Sequence, residues 1–139
     1  MAGEGVVSEP VRLTLPWSVL VPVNRRTNPA GWGKMRGRQF LTREYRGAQR
    51  TAELLVQSQV RGKRPRFTGP VSMTLRFYEP DRRRRDPSNL LKLVEDALIG
   101  VVYDDDSRIH RQTWERAGVD RDNPRVEITV APIEAARAA

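Results

Sequence analysis

Between Val71 and Val130 the hydrophobic period of the chain changes from two residues to 3.6 and back to two, an order that few folds accommodate. Val71, Met73, Leu75 and Phe77 alternate with Ser72, Thr74, Arg76 and Tyr78, the pattern of a strand with one buried face, and Pro80 ends it. From Asn89 to Leu98 the spacing turns helical. Leu90, Leu91, Leu93, Val94, Ala97 and Leu98 cover one arc, Asn89, Lys92, Glu95 and Asp96 fill the other, and Gly100 stops the helix. Residues 108 to 117 mix β-formers with charge and suggest a further strand. After a polar turn at 120 to 124, Val126, Ile128 and Val130 alternate through a last one. Upstream, Val11, Leu13 and Leu15 alternate before Pro16. Tyr45, Ala48, Ala52, Leu55 and Val56 then recur at helical spacing behind Thr42, a good N-cap, with Gly62 as a stop. The order β-α-β-α-β-β predicts an α+β fold: a single domain over residues 1–139 whose mixed sheet of about four strands is packed by two main helices. Residues 1–9 and 134–139 read as loose tails.

A chain of 139 residues that is 38% hydrophobic can build one modest core. Its formal charge is +8, and 22 of its 25 basic residues are arginine, whose guanidinium grips phosphate bidentately. Such an excess calls for a polyanionic partner. Nucleic acid fits better than a membrane, because no apolar run approaches the ~20 residues that a span requires. The first ten residues lack the basic and apolar regions of a signal peptide, so the expected location is the cytoplasm. There is no cysteine, hence no disulfide and no thiolate metal site. No phosphate-binding glycine loop, Ser-His-Asp set or Cys/His cluster is present, which argues against a nucleotide cofactor, a nucleophilic triad and zinc.

Charge is densest from Asp81 to Ser107, where four arginines (Arg82, Arg83, Arg84, Arg85), an Asp86-Pro87 helix opening and the Asp104–Asp106 cluster flank the short helix. Asp86 already has a structural reason to exist, as an N-cap before a proline at the first helical position. The three aspartates have two readings. They are a solvated turn, or they return beside the helix opening and share a cation, for which all-oxygen ligation suits Mg²⁺ or Mn²⁺. Lys92 can pair with Asp96 or Glu95, or aim its ammonium at a scissile phosphate. Asn24, Arg25 and Arg26 begin a Gly- and Pro-rich basic loop in which Trp32 sits among Lys34, Arg36 and Arg38, a composition suited to tracking a phosphate backbone and stacking on a base. Residues 61 to 66 read as a basic linker, and His110, the single histidine, as a structural strand residue.

Taken in order, Leu15-Pro16-Trp17, Asn24-Arg25, the PDRRRRD run from Pro80 to Asp86, Asn89-Leu90-Leu91-Lys92, Asp96-Ala97-Leu98 and the DDSRI run from Asp105 to Ile109 resemble the RusA family of Holliday junction resolvases. The resemblance covers roughly Leu13 to Val130. It implies a small homodimeric endonuclease, dependent on Mg²⁺ with Mn²⁺ able to substitute, that cuts four-way (branched) DNA junctions by paired symmetric nicks in recombination and repair. It assigns catalysis to Asp86, Lys92 and Asp106 and metal binding to Asp86 and Asp106, with Ser88 and Asp105 beside them. The arginine run and the basic loop would neutralise DNA phosphates. One position departs from the family's D-x-D-N pattern: Asp86-Pro87-Ser88-Asn89 puts serine at the second acidic place. The expectation is weaker Mg²⁺ affinity, a preference for Mn²⁺, or help from Asp96, Asp104 or Asp105. The competing reading is a non-catalytic protein that binds branched DNA through a degraded metal site.

Overall fold

In the computed structural model, which describes residues 9–25, 27–29 and 39–133, the alternating segments join one mixed sheet. The strands are β1 (Val11–Pro16), β4 (Val71–Glu79), β5 (Ile109–Val119) and β6 (Arg125–Pro132), in the order β1-β6-β4-β5. β6 runs antiparallel to both β1 and β4, while β4 and β5 are parallel. A parallel pair needs a crossover, and the helical stretch between β4 and β5 supplies it. The register aligns inward residues into rows. Leu13, Ile128, Leu75 and Trp114 form one row, and Leu15, Val126, Phe77 and Arg116 the next. The strand residues of the opposite face include Thr14, Glu127, Arg76 and Glu115, so one face is apolar and the other polar.

Both helices lie against the apolar face. In α1 (Arg43–Gln59), Tyr45, Ala52 and Val56 are buried, and the Thr42 side chain accepts the Tyr45 N–H. The helix end is closed from outside by Arg64, which donates to the carbonyls of Gln57 and Val60. Gln59 donates to the Thr14 carbonyl at 2.8 Å and accepts the Thr14 N–H at 2.9 Å, occupying the free edge of β1 as a neighbouring strand would. In α2 (Leu91–Ala97), Leu93, Val94 and Ala97 are fully buried in the same core.

Two differences from the sequence reading bear on the site. The second helix does not begin at Asn89: Pro87–Leu90 forms a 3-10 turn and the α-helix proper starts at Leu91. The segment read as one loop from Asn24 contains a 3-10 turn, Val23–Arg25, and a two-stranded antiparallel ribbon of β2 (Thr27–Pro29) and β3 (Gln39–Leu41). Strands of three residues are too short for alternation to reveal them. Arg26, Trp32, Lys34, Arg36 and Arg38 lie outside the described residues, as do both expected tails apart from Glu9. Among the described residues no helix is long and apolar enough to cross a membrane.

Candidate active site

The position of Asp86 follows from local backbone chemistry. Its Oδ1 accepts the Ser88 N–H at 3.1 Å and the Ser88 hydroxyl at 2.6 Å, and its carbonyl accepts the Asn89 N–H. Pro87 is buried at the first position of the turn, where its missing N–H costs nothing. Asp86 is therefore the N-cap that the Asp-Pro pair predicts, and Ser88 is its direct hydrogen-bond partner. A cleft of about 340 Å³ opens beside it. Trp17, Leu20, Pro22 and Leu90 supply apolar wall, and Asn24, Arg25, Arg83, Arg85 and Asn89 supply polar groups. Thr42 fixes the near side of this cleft by donating to the Arg25 carbonyl at 2.7 Å, and Glu44 pairs with the Arg25 guanidinium at 3.2 Å.

The three aspartates arrive by a tightly held return. Gly100 sits at φ +86°, a conformation glycine adopts without steric cost, and its N–H donates to the Tyr103 carbonyl. Val101, Val102 and Tyr103 are buried. The carbonyls of Val101 and Val102 accept N–H groups from Arg66 and Phe67, and the Tyr103 hydroxyl donates to the Glu95 carbonyl at 2.7 Å. Burial first, then the carboxylates of Glu95, Asp106, Asp96 and Asp105, pushes the Tyr103 phenol well above its ordinary pKa, so it stays a neutral donor. The segment read as a basic linker is thus what clamps the return.

This return gives each aspartate a separate task. Asp104 makes a two-point ion pair with Arg108 at 2.8 and 3.0 Å, which holds its pKa below the usual carboxylate value. Asp105 caps the 3-10 turn Asp106–Arg108 by accepting the Ser107 N–H at 2.9 Å, and Ser107 likewise depresses its pKa. Asp106 alone reaches Lys92, whose Nζ lies 3.5 Å from Asp106 Oδ2 and 3.2 Å from Asp96 Oδ1. Of the two acids expected as partners for Lys92, Asp96 takes that place, whereas Glu95 accepts from Gln112 at 2.9 Å. Burial alone would lower the Lys92 pKa, but the bonds to Asp96 and the charge of Asp106 outweigh it and raise the pKa above the ordinary lysine value. Lys92 is a fixed cation rather than a base.

The arginine run divides in the same way. Arg82, Arg83 and Arg84 are exposed. Arg85 is not, being paired to Asp81 at 2.7 Å and laid over the Trp17 ring at 5.5 Å. His110 is exposed on β5 and takes no part. Sequence reasoning passed over Glu79, a buried carboxylate, although the inward alternation of Val71, Met73, Leu75 and Phe77 leads straight to it.

Among the described residues no group of three or more His, Cys, Asp or Glu side chains gathers as a metal set. Serine at position 88 accounts for part of this, since an acid there would stand beside Asp86. The remaining donors are carboxylates and a hydroxyl. That set suits a hard cation of the Mg²⁺ type, which commonly takes one or two carboxylates and completes its shell with water and substrate phosphate.

No curated protein matches the chain significantly. Residues 21–131 match the family described as Endodeoxyribonuclease RusA, a span that contains the cleft, Asp86, Lys92 and Asp106. The chain belongs to the RusA endodeoxyribonuclease family of Holliday junction resolvases.

Proposed function

We propose that the protein nicks four-way DNA junctions by Mg²⁺-dependent phosphodiester hydrolysis, as a homodimer making paired symmetric cuts in recombination and repair. The observation that carries this reading is Lys92. It is a persistent ammonium between Asp96 and Asp106, on the helix that Asp86 opens, beside a cleft walled by arginine and asparagine. Asp86 and Asp106 would hold the metal, with Ser88 and Asp105 beside them. A bound Mg²⁺ would supply Lewis acidity toward the phosphate and lower the pKa of a water, and Mn²⁺ could replace it.

The protein's own groups do the rest. Lys92 stabilises the negative charge that develops on the phosphate, which its raised pKa lets it do throughout the neutral range. Asp96 and Asp106 hold the ammonium in place. Arg82, Arg83 and Arg84, with Asn24 and Arg25 across the cleft, neutralise neighbouring phosphates. Arg26, Lys34, Arg36 and Arg38 extend this surface by sequence alone. Nothing here resembles a groove-reading helix, so recognition follows branch shape.

A second reading has its own support. Serine at position 88 and the absence, among the described residues, of a three-acid group favour a protein that binds junctions without cutting them. One assay separates the two. A labelled synthetic four-way junction incubated with Mg²⁺ should yield symmetric nicks, with little cutting of a linear duplex of the same sequence. Tight junction binding with no nick in either Mg²⁺ or Mn²⁺ would establish the non-catalytic reading instead.

A further inference from the structure

Glu79 is a buried carboxylate that the proposed chemistry does not use. It is the last residue of β4, with its side chain only 3% exposed, on the face that Met73, Leu75 and Phe77 turn to the core. A charge taken out of water is retained only where partners compensate for the lost hydration. Two guanidinium groups do so. Arg116 of β5 donates from Nε to Oε2 at 2.7 Å and from Nη2 to Oε1 at 3.2 Å, a bidentate clamp. Arg85 brings Nη1 to within 3.7 Å of Oε1 from the other side.

Arg85 is in turn held from several directions. The same Nη1 pairs with Asp81 at 2.7 Å and lies 3.3 and 3.4 Å from the carbonyls of Asp81 and Arg83. Its guanidinium covers Trp17, which packs edge-on against Phe77. The side chain is 20% exposed, while its three neighbours in the run face solvent. The next residue is Asp86.

We propose that Glu79 is a positioning residue for Asp86. The Glu79–Arg116 pair makes a charged floor that pulls Arg85 inward, Arg85 closes the turn at 81–85, and that turn sets where Asp86 begins its helix. Arg85 thereby belongs to the scaffold, and the phosphate-binding surface of the run is Arg82, Arg83 and Arg84. The inference rests on reading Asp86 as a catalytic residue. Its consequence for binding can be measured without any cutting.

The first test is Glu79→Gln, which keeps the side-chain size and removes the charge. Nicking of a four-way junction should lose at least tenfold in kcat with KM within about twofold, and amide exchange should accelerate in residues 82–88 while the sheet stays protected. The released Arg85 should add a phosphate contact, steepening the plot of log affinity against log salt by about 0.9. The second test is Arg85→Gln against Arg83→Gln, read by junction binding alone. Arg83→Gln should flatten the salt slope by about 0.9, and Arg85→Gln should leave it unchanged. Equal flattening by both would make Arg85 a phosphate ligand and overturn the proposal. So would a Glu79→Gln protein with a lower Tm but unaltered kcat, exchange and salt slope. A wild-type protein that binds junctions and never nicks them would refute the proposed function, and the exchange and salt data would still decide the brace.

Discussion

Replacing Ser88 with aspartate should trade stability of the metal-free protein for metal affinity. In the wild type the Ser88 hydroxyl lies 2.6 Å from Asp86 Oδ1 and donates to it. A carboxylate at position 88 would bring a second negative charge to about 4 Å from the first, which costs about 1 kcal/mol in a water-like medium and about 4 kcal/mol at an effective dielectric of 20. Both residues are exposed, so the lower figure applies. For a domain of this size the loss corresponds to about 4 °C in Tm without divalent metal. A cation relieves the repulsion and gains a ligand. The concentration of Mg²⁺ giving half-maximal nicking should fall about tenfold, equivalent to about 1.4 kcal/mol. The assay pairs thermal unfolding, with and without Mg²⁺ or Mn²⁺, with a metal titration of junction nicking. If Ser88→Asp changes neither the metal-free Tm nor the half-activating concentration, position 88 is not part of the metal site and the reasoning fails.

Other consequences are smaller but equally checkable. Lys92→Met should lower kcat by about 10²-fold or more while junction affinity changes only a few-fold, since Lys92 is assigned to developing charge rather than to binding; single-turnover nicking and a binding titration measure the two separately. Thr42→Ala removes both the α1 cap and the bond to the Arg25 carbonyl, so denaturant unfolding should show a loss of about 1–2 kcal/mol together with weaker junction binding. Arg85 holds the Asp81 pKa down, from 3.8 to about 2. A carboxylate depressed on folding stabilises above its unfolded pKa, so the Asp81 contribution should be complete above about pH 5 and vanish as pH falls toward 2. The difference in Tm between wild type and Asp81→Asn, followed across that window, should shrink to nothing at the acid end.

The strands, both helices and the two helix caps were legible in the sequence because each rests on a local rule. Alternation marks β1, β4 and β6, threonine at position 42 marks the start of α1, and Asp86-Pro87 marks the opening of the second helical stretch. The chemistry of the three aspartates was not legible in this way. Which of them pairs, which caps and which meets Lys92 depends on where Tyr103 and Val102 are pinned by the segment around Phe67, a contact between distant parts of the chain. The same holds for the arginines. Four identical letters in a row carry no hint that Arg85 turns inward, because its partners Trp17 and Glu79 lie outside the run. The β2–β3 ribbon escaped notice because three-residue strands held by backbone pairing leave no side-chain period.

The central claim is that Asp86 and Asp106, at the two ends of the charged stretch, serve one nicking centre. The most direct measurement is Mg²⁺-dependent nicking and binding of one four-way junction by wild type, Asp86→Asn and Asp106→Asn, side by side. The account predicts nicks from the wild type, none above background from either variant, and junction affinity retained by all three. Substantial residual nicking by either variant would contradict it.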